Sequence, residues 1–371
     1  MKSDLFKSIS KGIITVCLIS MYALSFAARH MEELRRIDRE FLTSPDAARI
    51  GEQVLAYQRI TGGWPKNIDM CRPHSEEELE AVRSERGRTD DSTTDNLATT
   101  TQLKFVANMF QISGDERYRD AFLAGVEYLL SGQYDNGGWP QFWPDPQGYQ
   151  IHITYNDGAM VNTLVLIRDV AAGVYPYDAC LVDESLRNRA RTAFDKGIEC
   201  ILATQIRVDG SPTVWCQQHD RETYAPAPAR SYELPSFCSQ ESAQIVSLLM
   251  QLPDPDERVK AAVHGAMKWF DANKLTGYRI ERTGQSKTPE ANVRLVADPD
   301  AGPLWGRFYD LQNCGIFVCD RDGIPRKNLE DIGQERRTGY SWYNSYPADL
   351  YEVYDEWADK YDCSGKVNIH P

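Results

Sequence analysis

Apolar positions recur with helical spacing in three successive stretches of the chain. Phe122, Val126, Leu129 and Leu130 stand at i, i+4, i+7 and i+8, and Phe194, Ile198, Ile201 and Leu202 repeat the set 72 residues later. Ala262, Ala266, Trp269 and Phe270 give the same spacing once more. Each set is the single apolar stripe of a helix with one buried face. Between the stripes, Arg, Glu, Asp and Lys occupy the other faces, as on outer helices open to water.

A turn motif follows the stripes. Gln58-x-x-x-Gly62-Gly63-Trp64-Pro65 returns as Gln133-x-x-x-Gly137-Gly138-Trp139-Pro140, and a worn copy stands at Gln205-x-x-x-Asp209-Gly210-Ser211-Pro212. Its Gly and Pro end the preceding helix. A second kind of helix starts each unit. Asp95 opens a run through Leu103, Val106 and Phe110, Asp157 one through Leu164 and Ile167, and Glu241 one through Ile245, Leu248 and Leu249. These runs are rich in Ala, Thr, Ser and Val, which suits inner helices packed on all sides. The alternation of inner and outer helices predicts an all-α fold, an α/α toroid.

Parallel inner helices gather their N-terminal ends at one mouth of such a ring, so Asp95, Asp157 and Glu241 are expected on one rim. Each acid on its own reads as an N-cap favoured by the helix dipole. Three together repel unless a cation or a proton offsets them, and hard carboxylate oxygens suit Ca²⁺.

Composition narrows the classes. The 371 residues carry a formal net charge of −13, against binding to nucleic acid or to an anionic membrane. Lys2, Lys7 and Lys11 precede an apolar run from Ile13 to Ala27 that ends Ser25-Phe26-Ala27, so residues 1–27 are expected to be a signal peptide for secretion or periplasmic export. Its removal takes the charge to −15 and leaves residues 28–371 as the mature chain, expected to be one domain and a monomer without a membrane anchor. Eight cysteines remain, with no paired C-x-x-C zinc spacing. H-E-x-x-H, P-loop and dinucleotide fingerprints do not occur.

Six strings occur in order: Gly62-Gly63-Trp64-Pro65-Lys66-Asn67, Thr94-Asp95-Asn96, His152-Ile153-Thr154-Tyr155-Asn156-Asp157-Gly158-Ala159-Met160, Trp215-Cys216-Gln217-Gln218-His219-Asp220, Ala229-Arg230-Ser231-Tyr232-Glu233-Leu234-Pro235-Ser236, and Arg307-Phe308-Tyr309-Asp310 with Arg321-Asp322-Gly323. Together they closely resemble the pectate lyases of polysaccharide lyase family ten, from about residue 50 to about residue 345. The resemblance implies an (α/α)3 toroid with a substrate groove that cleaves polygalacturonate by Ca²⁺-assisted β-elimination, giving 4,5-unsaturated oligogalacturonides. It implies that Arg230 is the catalytic base, that Asp95, Asn96 and Asp157 hold calcium, and that Lys66, Tyr155, Arg307 and Arg321 bind substrate. The chain departs from the family pattern at Phe237-Cys238-Ser239-Gln240 and from about Asp254 to Ala301.

The chemistry asks for these residue types. Abstracting the C5 proton of a uronic acid places enolate-like charge on the neighbouring carboxyl group, and fixed cations stabilise that charge. Arginine, with a free pKa above about 12, is a poor base unless its surroundings lower that value; a crowd of cations is expected to do so. From the residues alone Arg230 reads as a substrate clamp rather than a base, a preference that only the resemblance reverses; His152 and His219 are the conventional base candidates, and Tyr155 reads equally as a core ring. Two other classes stand beside the lyase. A glycoside hydrolase on the same toroid would use two carboxylates such as Asp95 and Asp157. A non-catalytic sugar-binding module would use Trp64, Trp139, Trp143 and Trp215 as stacking platforms.

Overall fold

The computed structural model describes residues 32–285 and 288–361. The signal peptide expected over residues 1–27 lies outside them.

Helix hairpins build the body. Helix α1 (Pro45–Tyr57) leads into α2 (Thr100–Ser113) and α3 (Glu116–Ser131), then α4 (Ala159–Ala172) and α5 (Glu184–Thr204), then α6 (Ser239–Met250) and α7 (Glu257–Ala272), with α8 (Leu350–Lys360) closing on α6. The inner helices α2, α4 and α6 pack in succession, and so do the outer helices α1, α3, α5 and α7. Inner helix α6 is buried at almost every position from Ser239 to Met250, whereas α3, α5 and α7 bury one stripe each, the three read from the sequence. Asp115, Asp183 and Asp256 cap the outer helices through their side chains.

The turn motif acts as a staple between units. Gln58 Nε2 donates to Gly62 O and to Ala121 O of α3, both over 2.8 Å. Gln133 Nε2 donates to Gly137 O and to Ala193 O of α5 over 3.0 and 2.8 Å, and Gln205 Nε2 to Thr213 O and to Ala262 O of α7 over 2.8 and 2.9 Å. Each amide thereby satisfies a carbonyl of its own turn and one of the next outer helix. The tryptophan secures its turn to the helix before it: Nε1 of Trp64, Trp139 and Trp215 donates to Val54 O, Leu129 O and Ile201 O. Trp305, donating to Phe270 O over 2.9 Å, is a fourth copy whose flanking motif has worn away. Gly62 and Gly137 are required at φ +92° and +90°, where a Cβ would strike the carbonyl of Ala124 or Lys196.

The inner helices begin later than their apolar runs suggest. Helix α2 starts at Thr100, because Asn96, Leu97 and Thr99 have positive φ and form a separate turn at Asp95–Leu97. Helix α4 starts at Ala159, after Asp157 at φ 50° and Gly158 at φ 74°.

Small sheets, unforeseen in an all-α reading, cover the mouth. Phe308–Tyr309 pairs on one side with Phe237–Cys238 and on the other with Ile316–Cys319, which continues to Pro325–Arg326. Tyr278–Thr283 and Asn292–Ala297 form an antiparallel hairpin in the stretch that departs from the family pattern. A second apolar cluster, including Tyr232, Phe308, Phe317, Ile332 and Trp342, packs beneath these strands. Seven cysteines, from Cys71 to Cys319, are free thiols.

Candidate active site

The two turns that precede α2 and α4 pack against each other and bring Asp95 and Asp157 to one rim, near Glu241 in the first turn of α6. Neither aspartate is an N-cap. The residue before α2 is Thr99 and the residue before α4 is Gly158, and neither helix has a side-chain cap. Asp157 itself is left-handed, and Asp95 is followed by the left-handed Asn96 and Leu97, a local cost usually met only where a site demands it.

The repeat also delivers the partners of these acids. Two residues beyond each staple tryptophan stands a polar side chain, and three of the four meet a carboxylate. Lys66 Nζ forms an ion pair with Asp95 Oδ2, and Gln141 Nε2 donates to the same oxygen over 2.7 Å. Arg307 Nη2 donates to Glu241 Oε1 over 2.5 Å and to Asn156 Oδ1 over 3.0 Å, and lies 3.5 Å from Asp157 Oδ1. Gln217 holds the corresponding place after Trp215; its carbonyl accepts from the Tyr155 and Asn156 amides, and its buried side-chain amide is without a partner among the described residues.

Charge differs from acid to acid. Burial, with Asp95 and Glu241 nearby and only partly offset by Arg307 and Arg230, pushes the Asp157 carboxyl up to about 6. Glu241 has its counter-charge in Arg307, and its Oε2 accepts over 2.5 Å from the Cys238 thiol, which burial and that carboxylate keep protonated. Arg307 stays charged: burial acts to lower its pKa, but Glu241, Tyr340 and Asp157 together raise it.

Arg230 and Arg321 stand on the other side, over the second apolar cluster. Arg230 is 42% exposed and forms a bidentate pair with Glu233, itself 1% exposed. Nε donates to Oε2 over 2.7 Å and Nη2 to Oε1 over 2.5 Å. Burial pulls the guanidinium pKa down, but Glu233, Tyr340 and Tyr232 outweigh it and the net direction is upward. A carboxylate therefore reverses the cation-driven lowering expected from the sequence. Arg321 is exposed, pairs with Glu335 over 3.0 Å and lies 5.9 Å from the Tyr232 ring.

Other expectations are corrected. Tyr155, expected to bind substrate, is fully buried; its hydroxyl bonds Thr204 Oγ1 over 2.7 Å and its ring meets His219 edge-on, so it is a core ring. His219 is no base: burial pulls its pKa down to about 4, and Nε2 accepts from the Cys216 amide. His152 is partly buried, lowered by burial, and 3.9 Å from Asp220. Trp64, Trp139 and Trp215 are buried staples rather than sugar platforms. Gln141, Glu233 and Tyr340 were not foreseen; the repeat could have revealed Gln141, two residues after Trp139 as Lys66 is after Trp64. Asn96 lies beside Asp95, its amide donating to Asp95 Oδ1 over 2.8 Å and its Nδ2 to Asn67 Oδ1 over 3.0 Å.

A calcium ion suits part of this donor set. Among the described residues no group of three His, Cys, Asp or Glu side chains is placed to hold a metal. The hard oxygens of Asp95, Asn96 and Asp157 are of the kind calcium takes, and the Asp157 carboxyl is raised first by burial and then by the acids around it.

Comparison with known proteins agrees with this geometry. The model of the pectic acid lyase family matches residues 58–351. A family 10 polysaccharide lyase from Cellvibrio cellulosa, solved as a mutant in complex with trigalacturonic acid, superposes with a TM-score of 0.76 at 32% identity, covering 89% of this chain and 96% of that one. A structure described as the family 10 polysaccharide lyase from the same organism gives 0.74 at 32% identity, covering 92% and 98%. No curated protein matches the chain.

Proposed function

This chain belongs to the pectic acid lyase family, and from that premise we propose that its groove cleaves polygalacturonate by Ca²⁺-assisted β-elimination, with Arg230 as base. It is a polysaccharide lyase acting on pectate, with an oligogalacturonide as substrate. The observation that carries the calcium reading is the meeting of Asp95 and Asp157 on one rim, with the Asp157 carboxyl raised by burial and by the acids around it.

In this reading Asp95, Asn96 and Asp157 hold the ion, which when bound polarises the substrate carboxylate as a Lewis acid. Lys66 and Gln141 fix Asp95 Oδ2 and so orient that carboxylate. Arg307, pinned between Glu241, Asn156 and Asp157, keeps a permanent positive charge at the rim. That charge favours the anionic substrate and the charge that develops on it. Arg321, exposed on the Tyr232 side, offers a planar fork to a carboxylate farther along the chain. Arg230, in its deprotonated guanidine form, takes the C5 proton, and the C4–O4 bond breaks as the C4–C5 double bond forms. The ion pair of Arg230 with Glu233 opposes deprotonation, so turnover in this reading calls for alkaline conditions.

We place the enzyme outside the cytoplasm on the basic and apolar N-terminal sequence. The glycoside hydrolase alternative is not favoured, since the chain belongs to a lyase family.

The test is the ultraviolet absorbance of conjugated, unsaturated product from polygalacturonate, with and without a chelator. Product is expected only with calcium present. Full activity after confirmed metal removal refutes the calcium role, and equal rates on highly methyl-esterified pectin refute the need for free carboxylates.

A further inference from the structure

The Arg230–Glu233 pair inverts the usual arrangement of a buried ion pair. Elsewhere in the chain Arg59, 1% exposed, is the buried partner and its acids Asp91 and Glu85 reach toward water. Here the anion is sealed and the cation is open: Glu233 is 1% exposed and Arg230 is 42% exposed. Every bond to the Glu233 carboxylate serves to fix it. Oε2 accepts from the Arg230 backbone amide over 3.1 Å and from Nε over 2.7 Å; Oε1 accepts from Nη2 over 2.5 Å and from the Tyr340 hydroxyl over 2.7 Å. The backbone closes the same turn, with Glu233 N donating to Arg230 O and Ala229 N to Glu233 O. The carboxylate therefore sets the guanidinium plane and uses Nε and Nη2, leaving Nη1 outside the fork.

Tyr340 ties this unit to the second arginine. Its ring lies 4.6 Å from the Arg307 guanidinium and 5.9 Å from that of Arg230, while its hydroxyl holds Glu233. One side chain thus spaces the two cations that flank the groove.

We infer that Glu233, held by Tyr340, is the positioning residue of the elimination: it orients Arg230 so that Nη1 alone is presented to the substrate, and Tyr340 fixes the distance from there to Arg307. This rests on the assignment of Arg230 as base. Glu233 also stabilises the protonated guanidinium, so it sets how alkaline the medium must be. The other titratable and charged groups facing the pair are Tyr232, Tyr340, Tyr149, Arg307 and, across the rim, Asp157.

The experiment compares the full chain with Glu233→Gln, Tyr340→Phe and Arg230→Lys on polygalacturonate at saturating calcium, recording kcat and KM from about pH 7 to about pH 11. Glu233→Gln keeps the size of the side chain and removes its charge. Its kcat is expected to fall about 100-fold, as for a misoriented reacting group, with KM little changed. The rise of its activity with pH should begin about one to three units lower, because the lost carboxylate no longer favours the charged arginine. Tyr340→Phe, which keeps the ring against Arg307, should show a smaller fall in the same direction. A folded Glu233→Gln enzyme with wild-type kcat, KM and pH profile, altered only in melting temperature, overturns the inference, as does a rise in KM alone. If Glu233→Gln does not fold, an unchanged kcat in Tyr340→Phe overturns it. Failure of the underlying base assignment reads differently: Arg230→Lys then retains kcat, whatever the Glu233 variant does.

Discussion

Arg307 and Glu241 meet over 2.5 Å with both side chains out of solvent, at 4% and 0% exposure, and this contact fastens the strand Phe308–Tyr309 to the first turn of α6. It explains why Glu241 differs from Asp157. Glu241 already has its counter-charge, whereas Asp157 lies 3.5 Å from the same guanidinium and shares only its edge.

Breaking that pair is therefore a stability experiment. Glu241→Ala strands a buried guanidinium and is expected to cost about 3–5 kcal/mol in urea unfolding. A loss below about 1 kcal/mol would show that water or another acid replaces Glu241.

Arg230→Lys tests the base directly. A base role predicts near-complete loss of kcat with KM largely kept, because Lys cannot reproduce the forked contact to Glu233 or its reach; a clamp role predicts raised KM and normal kcat.

Asp157 supplies a pH dependence. Its carboxyl stands at about 6 in the folded chain against 3.8 for the ordinary value. Between these values the unfolded chain gives up the proton first, so ionisation destabilises the fold as pH rises and the full penalty is present above about 6. Asp157→Asn should thus raise the melting temperature of the metal-free protein at neutral pH and leave it unchanged below about pH 4. Calcium should raise the melting temperature of the wild type and not of the variant. Identical melting curves with and without calcium in the wild type count against a site at Asp157.

The staple is open to the same kind of test. Gln133→Ala leaves the carbonyls of Gly137 and Ala193 without their donor and is expected to cost about 1–3 kcal/mol. Activity of the folded variant should be retained, because neither carbonyl belongs to the rim.

Tyr155→Phe separates core from groove. The lost hydroxyl bonds Thr204 and the Cys200 thiol, both buried in the core, so KM should stay at the wild-type value while stability falls by about 1 kcal/mol. A clear rise in KM would return Tyr155 to the substrate groove.

How much of this was legible in the chain depended on whether the signal was local. The stripes at Phe122–Leu130 and Phe194–Leu202 and the Gln-to-Trp turns are periodic, and periodicity in sequence becomes repetition in space, so the helical toroid and the shared rim of Asp95 and Asp157 could be read from order alone. The family strings supplied the activity. Burial could not be read in this way. Tyr155 sits in a matched motif beside Asp157 yet points into the core, and Trp64, Trp139 and Trp215 hold helix ends rather than sugars, because which face of a turn meets water is set by the neighbouring unit. Charge balance was still less local. That Glu241 is neutralised, that Asp157 is not, and that Arg230 is held protonated depends on Arg307, Glu233 and Tyr340, and Glu241 and Arg307 meet across 66 residues of chain, Glu233 and Tyr340 across 107. Sequence determined the units and the acids they present. Only the packing of the last strands over the mouth decided which of those acids remains short of a counter-ion, since electrostatic partners are chosen by distance in space and burial removes the water that would otherwise blur the choice.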